Sequence, residues 1–153
     1  MPDSGGKRHG RNRSCRRRRA GGQTNRGGGK RQRERAANEG AQVALAARHP
    51  EKLRDLASGL GAKTYACDVA ERASVDALVA QVTAELGVPD VVLFNASGRV
   101  RGAFTELDPE AVKQALLVSC YGGYLLCNAV VPGMLARGSG TILLTGASAS
   151  VKG

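Results

Sequence analysis

The chain has 153 residues, enough for one domain with a real core, and a formal net charge of +10. Residues 1–38 hold 13 Lys/Arg against Asp3 and Glu34, a net +11, whereas residues 39–153 hold 10 basic against 11 acidic residues and come to −1. The basicity therefore belongs to an arm, and the body is a near-neutral globular domain.

Four cysteines (Cys15, Cys67, Cys120, Cys127) form no C-x-x-C pair, so neither a zinc site nor a disulfide framework is expected. Buried free thiols are the plain reading. Reading along the chain finds no apolar run of bilayer length and no signal-peptide core after Met1, so a reducing, cytoplasmic setting without a membrane is expected.

The arm comes first. Residues 5–35 are mostly Gly, Arg, Lys and polar residues, and no Val, Leu, Ile or Phe precedes Val43. Such a segment cannot bury enough surface to offset its ordering entropy, and it reads as disordered. From Gly40 the pattern changes. Residues 41–47 form a short apolar strand. Pro50 opens a helix in which Leu53, Leu56, Ala57 and Leu60 recur at helical spacing, with Gly59 and Gly61 ending it.

Residues 62–67 are a second strand. Val75, Leu78, Val79, Val82 and Leu86 line a second helix, closed by Gly87-Val88-Pro89. Residues 91–94 are a continuous apolar run, as for a strand covered on both faces. Asp108 caps a long third helix that runs to about Ala136. Residues 141–145 are a fourth strand. Strands alternating with helices predict right-handed parallel crossovers. The fold class is α/β: a Rossmann-like doubly wound parallel sheet, partial, with ligands expected beyond the carboxyl ends of its strands.

The residues after each strand were read for that role. After the first comes Ala47-Arg48. Ala47 stands where a carboxylate would take the ribose hydroxyls of NAD, and Arg48 can pair with a 2′-phosphate, which favours NADP over NAD. A solvated arginine is the plainer alternative. After the second come Asp68 and Val69, where a carboxylate can accept from an adenine amino group or cap a helix. After the third come Asn95, Ala96, Ser97 and Gly98, small enough for close backbone approach, with an amide able to tie neighbouring strands. After the fourth comes a run of small residues containing Ser148.

In this order and spacing the segment 40–153 resembles the short-chain dehydrogenase/reductase family. Asp68-Val69 matches the family's D-V pair, and residues 93–98 look like its L-V-N-N-A-G segment. Val131-Pro132-Gly133-Met134 matches its A-x-x-P-x-M helix, and residues 140–145 are similar to the strand before its catalytic serine. The resemblance implies a cofactor site at Arg48, Asp68, Val69, Asn95, Ala96 and Gly98. It implies a catalytic hydroxyl at Ser148, one residue from the aligned Ala147. It implies hydride transfer between a nicotinamide cofactor and a small carbonyl or alcohol.

The chain departs from the family in four places. The glycine turn T-G-x-x-x-G-x-G, which cradles pyrophosphate at a helix start, should occupy residues 22–29. Gly27 and Gly29 fit it, but Gln23 replaces its first glycine. The strand before it should be apolar, yet the chain has Arg16-Arg17-Arg18-Arg19, and buried unpaired charge is prohibitive. The segment has the length of a first βα unit in residues of the wrong kind, as a frameshifted reading would give; a genuine basic tail fused to a fragment is the alternative. Finally, the family's Tyr-x-x-x-Lys pair falls beyond Gly153, and Ser119 stands where a relay asparagine is usual.

The expectation is impaired cofactor binding and no turnover by this chain. Two other roles are open to the chain. The arm can bind nucleic acid non-specifically through phosphate neutralisation. The long helix, with Gly122 and Gly123, can pair with a second copy, or those glycines can serve packing inside the domain.

Overall fold

A computed structural model of the chain describes residues 40–146. The arm, the glycine tract at 22–29, Ala147 and Ser148 lie outside the described residues. The order of elements is β1 (Ala44–Ala47), α1 (Arg54–Leu60), β2 (Lys63–Ala66), α2 (Arg72–Leu86), β3 (Val91–Phe94), α3 (Pro109–Leu116), α4 (Gly122–Arg137) and β4 (Thr141–Leu144). All strand pairing is parallel. The α/β, Rossmann-like reading holds, with the first strand shorter than expected at its start and the second shorter by one residue at each end.

Local chemistry explains the boundaries. Pro50 opens a 3-10 turn, Pro50–Leu53, that leads into α1. Gly61 ends α1 with φ of 59°, a conformation open to glycine at little cost. Gly59 lies inside the helix instead of ending it. Asp108 caps α3 as expected, its carboxylate accepting from the amides of Glu110 and Ala111 at 3.2 Å each, with Pro109 at the first position.

The long helix is not uniform. A π turn, Leu117–Tyr121, joins α3 to α4. Such turns are rare and often sit at functional sites.

Pro109–Arg137 also corrects one sequence reading. By length and composition it could cross a membrane, and no charged residue lies between Lys113 and Arg137. A core helix passes the same test. Here Leu125, Val130 and Met134 are buried, and Leu125 joins Cys67 and Val75 in the core with Val69, Leu78, Leu126 and Ala129 around them. Gly122 and Gly123 are consumed by this packing. A Cβ on Gly122 would lie 2.8 Å from the Val69 carbonyl oxygen, and one on Gly123 would touch the Phe94 ring. They serve close approach within the domain.

The four strands form two separate pairs, β1–β2 and β3–β4. The register runs Ala44 opposite Lys63 to Ala47 opposite Ala66, and Val91 opposite Thr141 to Phe94 opposite Leu144. Among the described residues, no ladder joins β1 to β3. A doubly wound sheet has strand order 3-2-1-4-5, and the observed strands are 2, 3, 4 and 5 of that order. The break falls where its central strand belongs.

Candidate functional site

The residues singled out lie at the carboxyl ends of the strands, and the structure gathers some of them. Arg48, His49, Ala66, Cys67, Asp68 and Ser74 line a shallow cleft of about 310 Å³ at the ends of β1 and β2. Arg48 and Asp68, predicted to contact opposite parts of a dinucleotide's adenosine end, thus share one wall. Arg48 is exposed and available. His49 pairs with Glu51 at 3.3 Å.

Asp68 is half-buried and shapes its own turn. Its Oδ1 accepts from the Ala70 amide at 3.0 Å, and its amide donates to Ser74 Oγ at 2.9 Å. These bonds fix the loop between β2 and α2, while α2 itself starts after Glu71 with no side-chain cap. Ser74 was not singled out from sequence, although a serine in the first turn of a helix that follows a strand-end aspartate is the available signal. Beneath the turn, burial pushes the Cys67 thiol above its ordinary range. Of the other cysteines, Cys127 is half-buried but Cys120 is exposed, so buried thiols are not the rule here.

The second turn, after β3, sits on the long helix. Gly98 donates its amide to Ser119 Oγ at 2.8 Å, and the same hydroxyl donates back to the Gly98 carbonyl at 3.3 Å. A Cβ on Gly98 would come 2.5 Å from the Ala115 Cα. Ser119 therefore does a defined job in the π turn: it clamps the turn that carries Asn95, Ala96 and Gly98. Val69 rests against Gly122 one turn further on. One stretch of helix, residues 115–122, positions both ligand-side turns.

Thr145 ties β3 to β4: its amide and its hydroxyl both donate to the Phe94 carbonyl, at 3.1 and 3.2 Å. Asn95 is exposed.

The larger cleft, about 610 Å³, lies elsewhere, along the outer side of β2 and lined by Lys63, Tyr65, Gln81 and Glu85 among others. Its polar groups satisfy one another. Lys63 Nζ meets Glu85 Oε2 at 2.7 Å and the Tyr65 hydroxyl donates to the same oxygen at 3.1 Å. We read it as a structural tie between β2 and α2. Among the described residues no cluster of three or more His, Cys, Asp or Glu could hold a metal ion.

Residues 21–153 match a family described as enoyl-(acyl carrier protein) reductase. The chain is 36% identical over 113 residues to D-threitol dehydrogenase of Mycolicibacterium smegmatis, covering 70% of this chain and 43% of that protein. An actinorhodin polyketide ketoreductase with NADPH matches with a TM-score of 0.71 and 32% identity, over 74% of this chain and 46% of that one. A metagenomic short-chain oxidoreductase in complex with NADP matches with a TM-score of 0.70 and 30% identity, over 74% of this chain and 54% of that one. The chain spans less than half the length of the curated relatives it matches. With parallel strands in family order and ligand-side turns held by the long helix, the chain belongs to the short-chain dehydrogenase/reductase family.

Proposed function

We propose that the chain carries the adenosine side of an NADP site, and that the whole protein moves hydride between the nicotinamide and a small carbonyl or alcohol. The observation that carries the cofactor choice is the cleft where Arg48 and Asp68 stand together, with Ala47 in place of an acidic residue. A guanidinium there complements a 2′-phosphate, and the missing carboxylate spares it repulsion. The turn of Asn95, Ala96 and Gly98, clamped by Ser119, offers backbone at close range. Val69 packs against Gly122 of the same helix. The bound nicotinamide would supply or accept the hydride. The chain's own contribution to chemistry is Ser148, whose hydroxyl would donate to the substrate carbonyl.

The chain alone is expected to bind weakly, because Gln23 and the neighbouring arginines replace the phosphate cradle, and to turn over no substrate. Titrating the full chain with NADPH and NADH tests the reading. NADPH should bind tighter, Arg48→Ala should cost NADPH about tenfold in affinity, equal to roughly 1.4 kcal/mol, and NADH should be unaffected. Equal affinities in the unaltered chain would sink it. Steady oxidation of NADPH with a simple aldehyde would overturn the expected inactivity.

A second, non-catalytic reading has its own observation. Leu116, Tyr121, Tyr124 and Leu135 lie exposed along the long helix, at 60%, 42%, 58% and 75%, and the two tyrosine rings stack at 6.1 Å. An apolar stripe of this kind fits a second copy of the chain. Sedimentation should then show dimer that Tyr124→Lys dissolves. Separately, the +11 arm should bind nucleic acid with affinity that falls steeply as salt rises.

A further inference from the structure

Asp68 brings four polar groups to the cleft at the ends of β1 and β2, and three of them are committed. Its amide donates to Ser74 Oγ at 2.9 Å, its carbonyl accepts from the Glu71 amide at 3.1 Å, and its Oδ1 accepts from the Ala70 amide at 3.0 Å. Its Oδ2 has no partner among the described residues. Asp68 lines the cleft, so Oδ2 is the atom it can offer to a ligand bound there. The bonds from Ala70 and Glu71 are local and belong to any tight turn built on an aspartate. The bond to Ser74 is different, because that serine lies six residues on and already inside α2. Ser74 lines the same cleft, and its place is fixed from below. Val75, next to it, is 1% exposed and packs with Leu125 and with Cys67, the residue before Asp68. The serine hydroxyl therefore couples the packed first turn of α2 to the backbone of the residue whose carboxylate is open to the ligand.

We propose that Ser74 is a positioning residue for the purine of the cofactor: through the Asp68 amide it holds Oδ2 where an exocyclic amino group can donate to it, and so makes the site select an amino purine over an oxo purine. This role rests on the dinucleotide reading of the cleft, but not on the 2′-phosphate. A carboxylate oxygen only accepts hydrogen bonds. Adenine presents an amino donor to it, whereas hypoxanthine presents a carbonyl oxygen, which leaves both acceptors unpaired. A site built around such a bond rejects the analogue that lacks the donor. The bond is directional, so it discriminates only while its acceptor is held in place. Without the serine hydroxyl the Asp68 amide loses its acceptor, and the carboxylate moves with its own backbone.

The test titrates the full chain with NADPH and with deamino-NADPH, which carries hypoxanthine in place of adenine, and repeats the pair with NADH and deamino-NADH. The unaltered chain should prefer adenine by about tenfold in affinity. Ser74→Ala should cut that preference to about twofold or less while the deamino dinucleotides bind nearly as before, and Ser74→Thr, which keeps the hydroxyl, should restore it. A merely structural role would weaken both bases alike and leave the ratio unmoved. Amide hydrogen exchange in the free chain gives a second readout: Ser74→Ala should speed exchange at the Asp68 amide on the order of tenfold. An adenine preference that survives Ser74→Ala, equal affinity for the two bases in the unaltered chain, or an Asp68 amide indifferent to the substitution would each overturn the proposal. So would the absence of binding by all four dinucleotides. Equal binding of NADPH and NADH would end the NADP reading alone, because the ratio between the bases is blind to the 2′-phosphate.

Discussion

The two strand pairs differ in a way their sequences do not announce. β1 and β2, written Ala-Leu-Ala-Ala and Lys-Thr-Tyr-Ala, bury Leu45 and Tyr65 to 5% and 6% exposure. β3 and β4, written Val-Val-Leu-Phe and Thr-Ile-Leu-Leu, are more apolar, yet beside one buried ring, Phe94 at 5%, Val91, Leu143 and Leu144 remain 59%, 45% and 62% exposed. Composition sets what a strand can bury, and neighbours set what it does bury. Right-handed crossovers put α1 on one face and α2 with α4 on the other. β1 and β2 touch α1 and its preceding 3-10 turn, while α2 and α4 pack on each other. Among the described residues nothing comparable covers the second face of β3 and β4. Those strands carry the sequence of a sheet covered on both sides.

The comparison can be broken by substitution. Leu125, 2% exposed between α2 and the end of β2, should cost about 3 kcal/mol as Leu125→Ala in denaturant unfolding. Leu144→Ser, equally apolar in the native chain, should cost under about 0.5 kcal/mol. Similar losses at both sites would mean that the outer face of β4 is covered after all.

Much of this was legible beforehand. Element type and order, the Asp108 cap and the placement of Asp68, Asn95 and Gly98 at strand ends follow from periodicity and turn chemistry. The π turn was not legible, because a single extra residue in a helix leaves the apolar period almost unchanged. Nor was the clamp between Ser119 and Gly98, which joins residues 21 apart. Nor was Thr145 as the tie between β3 and β4, since a strand-end threonine has no pattern that distinguishes it. The uncharged stretch of the long helix is visible in the sequence, but Gly, Ser, Asn and Gln interrupt its apolar residues and hide its length.

A second substitution sharpens the comparison within the exposed half. Arg137 at the end of α4 donates to the carbonyls of Val88, Pro89 and Ser139, at 2.6 Å, 3.0 Å and 3.0 Å, and meets Asp90 at 3.2 Å. It joins the entries of β3 and β4 where the sheet gives them least support. Arg137→Met keeps the stem and removes the fork, and should cost about 1.5 kcal/mol, with faster exchange at the Thr141 amide. If the amide is unmoved, the pair is held by its ladder alone. Asp108→Ala should cost about 1 kcal/mol by removing the cap of α3, and it should leave both strand pairs unaltered.

The smallest effect belongs to the covered half. The Lys63 ammonium, followed by the Tyr65 hydroxyl, holds the Glu85 carboxyl below its ordinary range, and Glu85 in turn raises Lys63. A carboxyl with a lowered folded value adds stability that is present above its unfolded pKa and is lost as pH falls through the folded one. The tie should therefore weaken in acid, below the ordinary glutamate range, and again in strong alkali as pH rises through the raised Lys63 value. It is largely solvent-exposed and screened, so Glu85→Gln should shift the unfolding midpoint slightly and flatten the acid limb. Salt should reduce the effect further. An acid limb unchanged by Glu85→Gln would place the edge of β2 under the control of Tyr65 burial alone, since that ring is 6% exposed and needs no ion pair to stay where it is.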